Sequence, residues 1–312
     1  MARNIAVIGL GSMGYGIAQS ILSAGHSTWG ADINPAQAER FRAEGGQPGA
    51  LAEAAGTLDA VVVVVLNAAQ TESVLFGEAG IVPALKPGAV VIACATVPPD
   101  FAREIEARCA ETGVLYLDAP ISGGAVKAAQ GQLSVMASGR PEAFAAARPA
   151  LDAMAQTVFE LGDAAGAGSA MKAVNQLLAG VHIATMAEAL TFGMTQGVSP
   201  ETFMEVIPQC AGTSWMLENR APHIVAGDYT PHSAVNIWPK DLGIVLDIAR
   251  GARFSAPVTA AALQQFLAAA GMGLGGEDDA AVAKVYARNA GLTLPGEDAG
   301  KAGAGKGDGG KP

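Results

Sequence analysis

The sequence predicts a doubly wound α/β domain on a parallel sheet, followed by an all-α domain. Three observations predict it. Short apolar runs alternate with amphipathic stretches up to about residue 162. The run DAVVVVVL at 59–66 is apolar on both faces, as a strand inside a helix-covered parallel sheet must be. Beyond Gly162 the period becomes helical and no strand pattern returns.

In chain order, the first strand falls at 4–8 and a helix follows over 12–24, stopped by Gly25. A strand at 28–32 and a helix at 35–44 come next, then strands at 59–66, 89–95, 114–117, 133–137 and 157–161, with helical segments between them. The turn GDAAGAGSA leads into an unusually long helix over 169–195. Shorter helices are expected at 200–207, 213–220, 240–250, 256–271 and 278–290. The closing PGEDAGKAGAGKGDGGKP is Gly-rich and has no large apolar residue, which predicts a disordered tail. The expected domains are therefore 1–163, 164–292 and a tail over 293–312.

Composition narrows the function classes. Half of the 312 residues are hydrophobic and 15% are charged, enough apolar material for a sizeable core. The net charge is −10 with no Lys/Arg-rich run, which argues against nucleic-acid binding. Cys94, Cys109 and Cys210 are odd in number and widely spaced, so they read as thiols of a reducing compartment. No stretch approaches 18 consecutive apolar residues and the N-terminus lacks signal-peptide features, so a soluble cytoplasmic protein without a membrane span is expected. His182, His223 and His232 lack metal-ligand spacing, and no metal is expected. No serine-nucleophile motif points to a hydrolase.

The segment GLGSMG (Gly9, Leu10, Gly11, Ser12, Met13, Gly14) has the spacing of a dinucleotide-binding turn. Gly9 permits the turn out of the strand, Gly11 lets a pyrophosphate approach the backbone, and Gly14 lets helix and strand pack closely. The helix N-terminus then offers N–H groups and positive dipole to the phosphates. Asp32, 18 residues beyond Gly14, ends the next strand. This context makes the first domain Rossmann-type. A carboxylate at Asp32 accepts from the ribose hydroxyls of NAD and repels the extra phosphate of NADP, and Ile33, Asn34 and Pro35 supply no Arg. NAD is the expected cofactor.

Four motifs then appear in order: IAVIGLGSMGYGIAQSILSAG, DAPISGGAVKAAQGQLSVMASG, GAGSAMKAVNQLL and KDLGIVLDIA. With them the chain, from Asn4 to about Asn289, resembles the β-hydroxyacid dehydrogenase family, which includes 3-hydroxyisobutyrate dehydrogenase and tartronate semialdehyde reductase. The stretches LNAAQTESVLF, KAVNQLLAGVHIATMAEAL and SWMLENRAPHIVAGDYTPHSAVNIWPKDLGIVLD resemble the L-threonate dehydrogenase branch of that family.

The resemblance implies an NAD-dependent dehydrogenase of a small hydroxy acid. It places substrate binding on Ser122, Gly123 and Gly124, where a hydroxyl and a glycine turn offer donors to a carboxylate. It places the general acid/base on Lys172. An amine in an apolar cleft gives up its proton more readily, so it can take the proton of the reacting hydroxyl as hydride leaves carbon. Lys172, Asn175 and Gln176 share a helix face at i, i+3 and i+4. Many relatives carry two consecutive Asn here, so Gln176 alters the pocket and hints at a different hydroxy acid. Lys240 and Thr96 match positions near the cofactor, and Leu66 and Asn67 sit at another strand end. The branch implies L-threonate oxidised to 2-oxo-tetronate (2-dehydro-L-erythronate). Tartronate semialdehyde reduction, 3-hydroxyisobutyrate oxidation and a non-catalytic NAD-binding module stay open, and by analogy a homodimer or homotetramer is expected.

Overall fold

A computed structural model describes residues 2–297; most of the expected tail, 298–312, lies outside the described residues. Residues 293–297 are described and are not a simple tail: Leu294 is buried and packs into an apolar core. The chain forms two compact units that divide between Val174 and Asn175.

The first unit holds a five-stranded parallel sheet of β1 (Asn4–Ile8), β2 (Ser27–Ala31), β3 (Ala60–Val63), β4 (Val90–Ala93) and β5 (Leu115–Asp118). The strand order is β2-β1-β3-β4-β5. The connecting helices are α1 (Gly14–Ser23), α2 (Pro35–Ala43), the single turn α3 (Leu51–Ala54), α4 (Ala68–Phe76) and α5 (Pro99–Glu111). Both faces of the sheet are covered. Ile5, Val7, Val62, Val90 and Ile92 enter one core, while Ala6, Val61, Val63, Val91 and Ala93 enter another. Adjacent residues alternate between the two, which is why these strands read as continuous apolar runs. After β2 the chain crosses to the far side of β1. The carboxyl ends of β1 and β3 therefore flank a topological switch point, where such sheets bind ligands.

One expectation needs correction. The strands read at 133–137 and 157–161 do not extend this sheet. They are β7 (Leu133–Ala137) and β8 (Ala155–Glu160), which form a three-stranded sheet with β6 (Ile121–Ser122). β6 runs antiparallel to β7, and β7 parallel to β8. Two residues are too few to show a hydrophobic period, so β6 left no mark in the sequence. α6 (Gly124–Ala129) and α7 (Pro141–Met154) connect these strands, and α7 packs on β3, β4 and β5 of the larger sheet as well as on β8.

α8 (Ala167–Thr195) begins in the first unit and ends in the second. By length and composition alone it is long and apolar enough to cross a membrane. Its Ile183, Met186 and Leu190 instead belong to the core of the second unit. That unit continues with α9 (Pro200–Val206), α10 (Trp215–Ala226), α11 (Ile237–Gly251), α12 (Pro257–Ala269) and α13 (Ala283–Ala290). α10 runs through Pro222 to the left-handed Gly227 and not to residue 220, since a proline removes only one ladder donor. Trp238 stacks on Phe266 with centroids 5.5 Å apart. A Cβ on Gly180 would stand 2.8 Å from Leu242 and 2.9 Å from Trp238, so this glycine lets α11 close on α8.

The units divide eleven residues later than the boundary expected after 163. The change of period marks where β8 ends, but the first turns of α8 are tied to the first unit. Asp118, at the end of β5, accepts from Gly166 N at 2.9 Å, from Ser169 N at 2.8 Å and from the Ser169 hydroxyl at 2.7 Å. Ser138 Oγ accepts from Gly168 N at 2.9 Å.

Candidate active site

Because the five strands are parallel, the loops after β1, β2, β3 and β4 emerge along one edge of the sheet. The residues expected to hold a dinucleotide lie on these loops. Gly9 leaves β1 at φ +94°, where a Cβ would meet Val64 O at 2.2 Å. A Cβ on Gly14 would stand 1.8 Å from Gly9 O, so α1 starts hard against the turn. Gly11 is different: a Cβ there meets nothing within 4 Å. Protein packing does not require that glycine, and the open space suits a phosphate against the backbone. No side chain caps α1 at Met13, and its first turn holds no acidic residue, so its terminal amides suit an anion. Ser12 is exposed beside them and Leu10 is buried.

Asp32 is held in place by the main chain. Its Oδ2 accepts from Leu10 N at 2.6 Å and its Oδ1 from Asn34 N at 2.8 Å. Each oxygen keeps a second lone pair for a ribose hydroxyl. Leu66 is exposed at 61%, and the Asn67 side chain caps α4 by accepting from Gln70 N at 2.9 Å. Thr96 is half-buried three residues past β4. These residues fit a dinucleotide. A pocket of about 470 Å³ adjoins the glycine loop, lined by Leu10, Gly11, Ser12, Tyr15, Gln37 and Arg40 among others. Arg40 is a cation the sequence reading passed over. Its guanidinium lies 4.4 Å above the Tyr15 ring and 3.0 Å from Glu44, so its charge is already matched.

A second group forms after β5. Ser122 ends β6, and Gly123 and Gly124 follow at φ +138° and +81°, conformations that only glycine adopts without strain. Lys172 is only 8% exposed, and its Nζ donates to Ile121 O at 2.9 Å. The structure thus sets the buried amine against the residue that precedes Ser122. Burial pushes the Asp118 carboxyl above its usual range, opposed by hydrogen bonds from Ser169, Gly166 and Ser138. Asp118 was not among the expected site residues, though it lies three residues before Ile121 and holds the helical turn before Lys172. Its signal was present: a lone acid in the apolar run LYLDAP must find buried donors.

The third group lies in the second unit. Asn175 Nδ2 donates to Gln176 Oε1 at 2.9 Å, and Gln176 Nε2 donates to Asp241 Oδ2 at 2.5 Å. Lys240 Nζ lies 2.6 Å from Asp241 Oδ1. Asp241 is 2% exposed and joins three expected site residues, yet the sequence marked it only as a neighbour of Lys240. A Gln at 176 spans to this carboxylate, which orients its amide. Cys94 and Cys109 contribute no nucleophile here, since burial pushes their thiols up to about 12.

Known proteins share this architecture. The profile for the NAD binding domain of 6-phosphogluconate dehydrogenase matches residues 4–162, and that for the NAD-binding region of NADP-dependent 3-hydroxyisobutyrate dehydrogenase matches residues 166–286. The L-threonate dehydrogenase of Cupriavidus necator is 53% identical over 298 residues, covering 95% of this chain and 99% of its own. The L-threonate dehydrogenase of Escherichia coli K12 is 46% identical over 295 residues, 94% of this chain and 97% of its own. A crystal structure of 3-hydroxyisobutyrate dehydrogenase from Salmonella typhimurium superposes with a TM-score of 0.86 at 47% identity, covering 91% of this chain and 99% of that one.

Proposed function

The chain belongs to the β-hydroxyacid dehydrogenase family of NAD-binding enzymes, and on that premise we propose that it oxidises L-threonate at C2 to 2-oxo-tetronate. The observation that carries the proposal is the buried Lys172 amine directed at Ile121 O, beside the Ser122 loop. The identity of 53% to an L-threonate dehydrogenase supports the choice of acid.

NAD, when bound, supplies the acceptor for the hydride leaving C2. The Ser122 hydroxyl and the Gly123 and Gly124 amides hold the substrate carboxylate. Lys172 takes the proton of the C2 hydroxyl, so that a carbonyl forms as the hydride departs. Asn175 and Gln176 orient the remaining hydroxyls, with Gln176 held by Asp241. Lys240, paired with Asp241, is assigned to the cofactor by the family resemblance alone. The Gly9–Gly14 loop binds the pyrophosphate, Asp32 the ribose, and Leu66, Asn67 and Thr96 line the rest of the cofactor.

NAD reduction across L-threonate, erythronate, glycerate, 3-hydroxyisobutyrate and 6-phosphogluconate tests the substrate. L-Threonate should give the highest kcat/KM. A higher value for 3-hydroxyisobutyrate would overturn the choice, because the Salmonella typhimurium structure bears that name. The same assay with NADP should give a kcat/KM lower by on the order of 10²-fold, since Asp32 opposes the added phosphate and Glu44 already engages Arg40. Asp32→Gly should narrow that ratio; equal use of both cofactors by the unaltered chain would remove the preference for NAD.

We also propose a homodimer or homotetramer working in the cytoplasm. Met171, Val174, Leu178 and Phe192 are all exposed on α8, and the seven-residue step from 171 to 178, repeated to 192, puts them along one stripe. Light scattering should show a multimer at micromolar concentration and a shift toward monomer for Leu178→Glu with Phe192→Glu.

A further inference from the structure

Two histidines and a buried aspartate meet in the second unit, outside the groups described above. His223 lies in the last turn of α10, and His232 in the segment between α10 and α11. Asp278 caps the 3-10 turn Asp279–Val282 that leads into α13. The sequence spacing gave these histidines no common role, because Asp278 arrives 46 residues after His232.

In the fold, one ligand atom from each of the three lies within 4.8 Å of the others. His223 Nδ1 is 2.9 Å from Asp278 Oδ1. The two imidazoles stand edge to face at 86°, with centroids 4.7 Å apart. Asp278 is fully buried, His223 is half-buried and the His232 side chain is exposed.

The carboxylate is already oriented by the main chain. Asp278 Oδ1 accepts from Ala280 N at 3.1 Å, and Oδ2 accepts from His232 N at 2.9 Å. Asp278 N also donates to Tyr229 O at 2.9 Å. Backbone groups therefore fasten the 229–232 segment to the turn, and this requires no imidazole at position 232. A histidine in the last turn of a helix, hydrogen-bonded to a carboxylate, is an ordinary stabilising arrangement. That accounts for His223 and Asp278 but not for a second imidazole held against the first.

We propose that His223, His232 and Asp278 form a binding site for a divalent transition cation of the zinc class. Two imidazole nitrogens and a carboxylate oxygen are a usual zinc donor set, with bonds of roughly 2.0–2.2 Å and water in a fourth position. The cation takes the place of the hydrogen bond between His223 Nδ1 and Asp278 Oδ1, and the neutral imidazole then carries its proton on Nε2. The exposed His232 ring moves in to complete the set while Asp278 stays in place. The bound ion cross-links the end of α10, the segment before α11 and the turn before α13. It acts as a staple for this unit and takes no part in hydride transfer.

The test uses the full chain, stripped with a chelator and titrated with Zn²⁺ by calorimetry and with Co²⁺ by visible absorption. One equivalent should bind with a Kd on the order of micromolar or tighter. The melting temperature should rise with Zn²⁺. His232→Ala keeps the backbone bond to Asp278 and so preserves the fold; it should weaken Zn²⁺ binding by at least roughly tenfold and abolish the melting shift. His223→Asn, which retains a donor to Asp278, should do the same. No uptake of Zn²⁺ or Co²⁺ by the unaltered chain overturns the proposal, and so does equal affinity in both variants.

Discussion

Lys172→Ala should lower kcat on L-threonate by roughly 10²–10⁴-fold, the range for losing a positioned acid/base group. NAD affinity should be unchanged, because the glycine loop and Asp32 hold together through their own hydrogen bonds. Lys172→Arg separates proton transfer from charge alone. Guanidinium keeps the positive charge but does not give up its proton near neutrality. The Arg variant should stay almost as slow as the Ala variant, while added small primary amines should partly restore turnover of the Ala variant. Steady-state kinetics with NAD binding measured by fluorescence checks all three. Normal turnover of Lys172→Ala would remove the assigned role.

Asp118→Ala should have the largest effect on stability. It strips the partner from two buried backbone amides, Gly166 N and Ser169 N, and from the Ser169 hydroxyl. Each buried donor left unsatisfied costs roughly 1–3 kcal/mol, so the melting temperature should fall by on the order of 10 °C. The first turn of α8 carries Lys172 one turn beyond Ser169, so loosening it should displace the amine as well. A shift of about an ångström at a reacting group costs about 10²-fold in rate. Calorimetry and kinetics below the melting temperature separate the two effects. Asp118→Asn keeps one acceptor oxygen and should recover part of both. A stable Asp118→Ala enzyme with full kcat would show that α8 is seated by other contacts.

Much of the fold was legible because burial on both sheet faces writes itself into the strands as uninterrupted valines and isoleucines. The small sheet was harder to read. β7 looks like any buried strand although β8 beside it is largely exposed, and it is the antiparallel pairing of β7 with the two-residue β6 that sets this sheet apart. The glycine loop was legible for a steric reason: Gly9 and Gly14 stand where a Cβ would collide with backbone oxygens. Lys172 stood out as a charge in an apolar helix. The residues that seat these groups were not legible, because an acid such as Asp118 or Asp241 has a structural meaning only once its donors are known.

The amino-acid order alone determined most of the run of strands and helices, the dinucleotide turn and the candidate amine, since each depends on residues close together in the chain. The tertiary structure decided which residues hold them. Asp118 meets Ser169 across 51 residues, Gln176 meets Asp241 across 65, and His223 meets Asp278 across 55. Such pairings follow from how strands and helices pack, and local periodicity carries no record of them. The polar groups of a buried site must be satisfied where the chain happens to return, and only the folded structure shows where that is.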